Sequence, residues 1–226
     1  MDKNVGCQII SDFKRPDKNL IKLFESIPVA NIDDCMNRQA AVSSDIKPMN
    51  STPLLGSAFT VQVPQGDNLM FHKAMDLAEP GDVIVIDAGG GTRNAIFGEI
   101  MLTYCQSRGL AGVVVDGCVR DKAELSNMKI AAYAKGVVPN GPYKNGPGKI
   151  NVPITFGGKI VKPGDIVVGD SDGLIFIDPK DAEYLAEKAH SVMNKEANIK
   201  KVIKTKGKYN RPWVDDKLTS IKCNIE

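Results

Sequence analysis

The stretches VIVIDAGGG at residues 83–91 and AGVVVDGCVRD at residues 111–121 decide the fold of this chain. Each begins with an apolar run as long as a buried strand and ends in glycine and polar residues. Between them, apolar residues recur at helical spacing until Gly109: Phe97, Ile100, Met101, Tyr104 and Cys105. Strand, glycine loop, helix and strand form a βαβ unit, so the sequence predicts that residues 83–87 and 111–115 are parallel neighbours.

The residues before this unit predict helices and one more strand. Two helical segments within residues 16–40 are separated by Pro28, which cannot continue the first helix. Residues 58–63 alternate like a strand, and Asp67-Asn68 can cap the helix that follows. Residues 135–150, beyond the unit, are rich in Gly, Pro and Asn and indicate a loop.

The C-terminal half predicts short antiparallel strands and then a long helix. The strands lie near residues 152–156, 158–162, 166–169 and 174–178. Asp178-Pro179 or Asp181 opens the helix, which runs to about Lys204. The fold class is therefore α/β, with a central parallel βαβ unit and mixed or antiparallel C-terminal strands.

The domain organisation follows from the same pattern. We expect one domain over residues 1–205 and a polar tail over residues 206–226. The tail contains Trp213, a large apolar side chain that we expect to pack on the body or on a neighbouring subunit.

Composition is that of an ordinary globular protein. Apolar residues make up 42% of the chain and charged residues 25%, and the net charge of +2 indicates neither nucleic acid nor membrane as a partner. No apolar run approaches the roughly 18 residues of a membrane span, and the N-terminus lacks an apolar export segment, so we expect a cytoplasmic protein. We interpret the lysines near the end of the long helix as solvent-exposed charges that offset the negative end of the helix dipole.

The five cysteines form no C-x-x-C pair. We therefore expect reduced thiols rather than a disulfide framework or a zinc site. Cys118 lies beside the polar end of the second strand, but neither histidine is near it in sequence. The interpretation of Cys118 as a small buried side chain is preferred to that of a nucleophile.

Two glycine-containing segments predict a binding rim. The carboxyl ends of parallel strands meet at one edge of a sheet, so residues 87–91 and 117–121 should lie together. The helix begins between Asn94 and Gly98, and its free N–H groups at the same edge can bind an anion. The glycines match neither G-x-G-x-x-G nor a P-loop, so nucleotide binding is not indicated.

Charged side chains at this rim suggest a chemistry. Arg120 can bind a carboxylate through two parallel hydrogen bonds, and Asp121 can hold a hard divalent cation. Glu99, in the first turn of the helix, brings a second carboxylate to the rim. The alternative is a surface Arg-Asp pair that merely starts a helix, where aspartate is favoured by the helix dipole.

These motifs resemble a known family, that of the regulator of ribonuclease activity A, which includes metal-dependent 4-hydroxy-4-methyl-2-oxoglutarate aldolases. The central match runs from Gly98-Glu99-Ile100-Met101 to Val115-Asp116-Gly117-Cys118-Val119-Arg120-Asp121. Later segments extend the resemblance to roughly residues 25–205: Val152-Pro153-Ile154, Phe156-Gly157-Gly158, Val161-Lys162-Pro163-Gly164-Asp165 and Gly169-Asp170-Ser171-Asp172-Gly173.

The resemblance implies an α/β/β swivelling-domain fold, assembled as a homotrimer or hexamer with sites between subunits. By position, Arg120 would bind the pyruvyl carboxylate together with the backbone amides of residues 98–101, namely Gly98, Glu99, Ile100 and Met101. Asp121 would be the one direct protein ligand of Mg²⁺ or Mn²⁺. Glu99 stands where the aldolases carry an aspartate that orders water, and Glu196 matches a glutamate contributed by an adjacent subunit, with a surface helical role as its alternative.

The expected activity is retro-aldol cleavage of a 4-hydroxy-2-oxo acid to pyruvate, with oxaloacetate decarboxylation as a side activity. The alternative is a non-catalytic regulator that binds a ribonuclease. The presence of Asp121 favours the enzyme, since we expect regulators to lose the acidic position. Asn140 and Lys144, in the loop at residues 137–149, face either the pocket or water.

Overall fold

The computed structural model describes residues 4–224, and these residues contain eleven strands, seven α-helices and one 3-10 turn. The strands are β1 (Gln8–Ile9), β2 (Lys47–Pro48), β3 (Leu54–Gln62), β4 (Asp82–Phe97), β5 (Gly112–Val119), β6 (Ala131–Val137), β7 (Lys149–Ile150), β8 (Ile154–Phe156), β9 (Lys159–Val161), β10 (Ile166–Asp170) and β11 (Gly173–Ile177). The helices are α1 (Lys18–Lys22), α2 (Val29–Cys35), α3 (Leu69–Leu77), α4 (Glu99–Ser107), α5 (Lys122–Leu125), α6 (Ala182–Lys206) and α7 (Pro212–Ser220), with the 3-10 turn at Pro179–Asp181 before α6.

The predicted βαβ unit is confirmed. Strands β4 and β5 pair in parallel, with Val83 opposite Gly112 and Asp87 opposite Asp116, and α4 connects them. Parallel pairing continues on both sides, to β3 and to β6. Short antiparallel strands flank these four, β7 beside β3 and β2 beside β6, and β1 pairs in parallel with β7 at one edge of the sheet.

The sheet is covered on both faces, which gives the layered α/β arrangement predicted for the fold. On one face, α3 and α4 pack on the central strands through buried side chains such as Phe71 and Leu102. On the other face, the separate β8–β9 pair and the β10–β11 pair, which joins the main sheet where β10 runs antiparallel to β3, enclose a core that contains Phe156 and Phe176. Helices α1, α2 and α6 lie outside these strands. Since each central strand is buried on both sides, it is a continuous apolar run rather than an alternating one.

The glycine segment after residue 87 differs from the prediction. It was predicted to be a loop between strand and helix, whereas β4 continues through it to Phe97. Pairing with β5 persists at wide intervals, with Gly91 opposite Gly117, Ala95 opposite Cys118 and Phe97 opposite Val119. Residues 88–97 therefore run alongside only residues 117–119, and the extra residues bulge out of the sheet.

The other elements follow the predictions closely. Pro28 is the N-cap of α2, and the carboxylate of Asp67 accepts a hydrogen bond from the amide of Leu69 at the start of α3. The C-terminal strands pair antiparallel, and α6 ends at Lys206, capped by Gly207 in the left-handed conformation. Cys118 is buried, as predicted.

The C-terminal segment is helical where a tail was predicted. It forms α7, in which 64% of Trp213 is exposed, so packing of Trp213 on a neighbouring subunit stays a prediction. Within residues 4–224, no helix combines the length and apolarity that crossing a bilayer requires.

Candidate active site

A cavity of about 190 Å³ lies where the end of β5 meets the start of α4. The Arg-Asp pair and the start of α4 meet here, whereas residues 87–91, the other part of the predicted rim, are absent from the lining. The lining of the cavity combines the Arg-Asp pair, the first residues of α4, the start of α3 and the loop after β6: Asn68, His72, Ile96, Phe97, Gly98, Ile100, Met101, Arg120, Asp121, Pro142 and Lys144.

Asp121 occupies the centre of this arrangement. Its backbone is left-handed, with φ 56° and ψ 44°, a conformation that is uncommon for a non-glycine residue and that aspartate tolerates better than most. Its Oδ2 accepts a hydrogen bond from the amide of Glu99, 3.0 Å away, at the positive end of the α4 dipole. The other oxygen, Oδ1, has no protein partner among residues 4–224.

Gly98 makes this approach possible. A Cβ added at Gly98 would lie 2.1 Å from Asp121 Oδ2 and 2.8 Å from the Arg120 side chain, far inside van der Waals contact. Any larger residue at position 98 would push the carboxylate away from the helix start. Gly98, which begins the sequence motif, is therefore required by the position of the Asp121 side chain, 23 residues later.

Arg120 and the start of α4 offer donors to an anion. The amides of Ile100 and Met101 have no hydrogen-bond partner within the described chain, as expected for the first turn of a helix. Arg120 Nε lies 3.6 Å from Asp121 Oδ2, and the two side chains are 44% and 37% exposed. A pair this exposed contributes little to stability, so the guanidinium stays available for a carboxylate.

Helix α3 contributes two residues that the sequence interpretation missed. Asn68 is buried and donates to the carbonyl of Ile96 at 2.9 Å, while its Oδ1 has no partner in the described structure. His72 lies one helical turn further on, at the cavity rim. The available signal was the i, i+4 spacing of two polar residues at a helix start, but Asn68 was assigned only as a cap.

His72 shares the cavity with Lys144. The residue is exposed overall, yet desolvation of the ring lowers its pKa, the charge of Lys144 lowers it further, and Asp76 partly opposes both effects. The imidazole is therefore neutral over a wider range of pH than an ordinary histidine. Lys144 lines the cavity and is also exposed to solvent, so it contacts both the pocket and water.

The loop that carries Lys144 is held by a second aspartate, Asp67. This buried carboxylate accepts from Leu69 through Oδ1, and from the amides of Asn145 and Gly146 through Oδ2 at 2.6 and 3.0 Å. It thereby joins the start of α3 to a loop nearly 80 residues away. The cavity wall formed by Pro142 and Lys144 depends on this junction.

The two glutamates assigned by resemblance lie outside the lining of the cavity. Glu99 is exposed in the first turn of α4, and its backbone rather than its side chain contacts Asp121. Glu196 lies on α6, where it pairs with Lys200 at 3.7 Å within the same helix. This pairing fits the surface alternative within one chain, and a role for Glu196 at a neighbouring subunit's site stays a prediction.

The residues fit a hard divalent cation that has few protein ligands. No group of three or more His, Cys, Asp or Glu side chains within residues 4–224 could chelate a metal. Asp121 nevertheless presents one unpartnered carboxylate oxygen, 37% of its side chain being exposed beside a cavity. Mg²⁺ keeps several waters and commonly uses one or two carboxylates, so this single oxygen donor suits it and would not suit zinc.

Comparison with known proteins identifies the relatives of this chain. The RraA-like family model, described as Aldolase/RraA, matches residues 29–176. A protein of Halalkalibacterium halodurans named "Putative 4-hydroxy-4-methyl-2-oxoglutarate aldolase" is 41% identical over 172 residues, which cover 76% of this chain and 82% of that protein.

Solved structures show the same fold. The RNA-processing inhibitor RraA of Thermus thermophilus superposes with a TM-score of 0.61 at 29% identity, covering 66% of this chain and 92% of that one. An uncharacterized protein of Pseudomonas syringae superposes with a TM-score of 0.76 at 24% identity, over 86% of this chain and 96% of the other. The second likeness concerns the fold alone.

Proposed function

Because this chain belongs to the RraA-like family, we propose that it is a divalent-metal-dependent carbon–carbon lyase that cleaves a 4-hydroxy-2-oxo acid to pyruvate. The substrate would be of the 4-hydroxy-4-methyl-2-oxoglutarate type, and oxaloacetate decarboxylation would be a side activity. One observation carries the proposal. Asp121 keeps a free carboxylate oxygen in a cavity that also holds Arg120 and the open amides of α4.

The charges of the cavity support a substrate with two carboxylates. Arg120 and Lys144 are cationic, and Asp121 is the one carboxylate in the lining given above. With its charge balanced by a divalent cation, the cavity is strongly positive. We assign the pyruvyl carboxylate to Arg120 and the amides of Ile100 and Met101, and the distal carboxylate to Lys144.

The reaction moves one proton and one electron pair. The C4 hydroxyl loses its proton, the C3–C4 bond breaks, C4 becomes a carbonyl carbon, and the bonding pair stays on the pyruvyl fragment. That fragment then takes a proton at C3 to give pyruvate. A cation on Asp121 would supply the positive charge that stabilises this electron pair next to the 2-keto group.

The chain's own residues hold the substrate and handle the proton. Arg120 fixes the carboxylate end, so that the bond to be broken is oriented by the rigid start of α4. Asn68, buried at the cavity wall, holds the carbonyl of Ile96 just before the start of α4 and so positions the amides that bind the carboxylate. We assign proton transfer, through an ordered water, to Glu99 or to Glu196 supplied by a neighbouring copy of the chain.

Assembly as a homotrimer or hexamer is part of the proposal. Leu69, Ile100 and Tyr104 line one surface depression beside the cavity and are 41%, 79% and 39% exposed in the single chain, an apolar patch that favours a neighbouring subunit over this rim. Mass measurement by light scattering tests the assembly. A monomer at working concentration would exclude the intersubunit role of Glu196.

A pyruvate-release assay tests the activity. The purified protein is given oxaloacetate and a panel of 4-hydroxy-2-oxo acids, with Mg²⁺ or Mn²⁺ and then with a chelator. We expect release with metal and its loss with chelator. Equal rates in both conditions would reject the metal mechanism.

The regulator alternative predicts a different outcome, namely no pyruvate from any member of the panel together with binding to a ribonuclease. One structural relative is named as an inhibitor of RNA processing, so this outcome is tested with the same preparation. The free oxygen of Asp121 favours the enzyme.

A further inference from the structure

A second cavity of about 480 Å³ lies behind the loop that walls the candidate active site. Asn140 and Tyr143 line it, whereas Pro142 and Lys144 of the same loop line the first cavity. Its lining is mostly polar and contains no carboxylate: Gln65, Gly66, Gly91, Arg93, Asn94, Asn140 and Tyr143. A cavity of this size and polarity differs from an ordinary packing defect, which is apolar.

The irregular part of β4 builds this cavity. Between Gly91, opposite Gly117, and Ala95, opposite Cys118, three residues of β4 have no partner on β5. The bulge moves Arg93 and Asn94 out of the sheet and towards the loop after β6, where both line the cavity. Gly91 leaves room for this arrangement, since a Cβ there would lie 3.2 Å from the Gln65 side chain.

Three side-chain amides of the lining are held in one orientation. The NH₂ group of Gln65 donates to the carbonyl of Gly89 at 2.7 Å, that of Asn94 to Gly141 at 2.7 Å, and that of Asn140 to Arg93 at 3.1 Å. The three amide oxygens accept no protein hydrogen bond in the described chain. These hydrogen bonds are exposed to solvent, and they leave three amide oxygens as acceptors at the cavity, which suit the hydroxyl groups of a ligand.

Arg93 places one positive charge beside these acceptors. Its guanidinium has no ion pair or hydrogen bond with any residue between 4 and 224, while its carbonyl is held by Asn140. An unpaired guanidinium beside a cavity without carboxylates suits a carboxylate or phosphate, which it can bind through two hydrogen bonds. The phenol of Tyr143, 63% exposed, offers a further donor.

We propose that this second cavity is a binding site for a small polyhydroxylated anion, a sugar acid or a sugar phosphate. Arg93 binds the anionic group, and Gln65, Asn94 and Asn140 accept from the hydroxyls. The site does not depend on the proposed aldol chemistry, because it shares no lining residue with the first cavity.

Isothermal titration calorimetry of the full chain tests the proposal with four probes. Gluconate carries a carboxylate and hydroxyls, sorbitol 6-phosphate a phosphate and hydroxyls, sorbitol only hydroxyls, and hexanoate only a carboxylate. We expect saturable binding of gluconate or of sorbitol 6-phosphate, the tighter of the two identifying the anionic group. Sorbitol and hexanoate should bind at least about tenfold more weakly, since sorbitol lacks the anionic group and hexanoate lacks the hydroxyls.

Two variants locate the binding. Arg93→Gln should weaken binding of the tighter probe by about tenfold or more. Arg211→Gln is the control: Arg211 stacks on Tyr209 and is absent from the lining, so the affinity for that probe should not change. Asp121→Asn should also leave it unchanged while removing pyruvate release, which separates this site from the proposed function. Absence of saturable binding by both hydroxylated anions, or equal binding to the Arg93→Gln protein, would overturn the proposal.

Discussion

The two walls of the candidate active site are each organised by one aspartate, and the two carboxylates differ in how completely they are satisfied. Asp67, on the loop side, is buried and accepts three backbone hydrogen bonds with its two oxygens. Asp121, on the rim side, accepts one such bond with a single oxygen and is 37% exposed. A carboxylate with both oxygens occupied serves the scaffold, whereas one with a free oxygen is available for chemistry.

The largest expected effect on activity comes from a substitution at Asp121, on the rim side. Asp121→Asn keeps the shape of the side chain but removes the negative charge that would hold the cation. We expect pyruvate release to fall by about a thousandfold, since a metal's charge stabilisation is worth several kcal/mol. The free energy of unfolding, measured with urea, should change little because the side chain makes one hydrogen bond.

Asp172→Asn is the matched control for this variant. Asp172 is exposed between β10 and β11, away from the lining of the cavity. Its turnover should equal that of the unmodified protein. An Asp121→Asn protein with unimpaired turnover would remove the distinction between the two walls.

A methyl group at the helix start should have the next largest effect. Gly98→Ala places a Cβ at a distance of 2.1 Å from Asp121 Oδ2, so the carboxylate must move. We expect turnover to fall by about a hundredfold, the usual result of displacing a catalytic group by about 1 Å. Gly136→Ala is the control, since its added methyl would meet only Cys118 Sγ at 3.4 Å. Equal activity of the two variants would show that Asp121 needs no glycine beside it.

The loop side should respond in stability and in substrate binding. Asp67→Asn turns one of two accepting oxygens into an NH₂ group, which then faces a backbone N–H instead of accepting from it. We expect the free energy of unfolding to fall by about 1–3 kcal/mol. The KM should rise severalfold with kcat nearly kept, because the displaced loop carries Lys144 rather than Asp121. A loss of kcat without a change in KM would contradict this division of roles.

The smallest effect is a change in the titration of His72. Lys144→Gln removes a charge that lowers the pKa of His72, so that pKa should rise while desolvation still holds it below its ordinary value. Asp76→Asn removes the opposing charge, and the pKa should fall. Proton NMR of the imidazoles measures both shifts. His190, the other histidine of the chain, is the internal control, and equal shifts of both histidines would show that Lys144 does not act on His72 within the cavity.

Much of the site could be predicted because its signals are local in sequence. The apolar runs at 83–87 and 111–115 predicted parallel strands, and the rule that carboxyl ends share an edge placed Arg120 and Asp121 beside the start of α4. Asn68 and His72 were not recognised, since two polar residues on a short helix resemble ordinary capping and surface positions. The extension of β4 was missed because glycines indicate a loop wherever pairing is not known.

The sequence by itself determined the order of strands and helices, the βαβ unit and the meeting of the Arg-Asp pair with the first turn of α4. These follow from side-chain periodicity and from the handedness of parallel connections, both of which act over short stretches. The tertiary structure alone decided the left-handed backbone of Asp121, the bulge that brings out Arg93, and the closure of the cavity by the Asp67 junction with residues 145–146. Each of these depends on contacts between residues distant in the chain, where sequence spacing carries no information on distance in space.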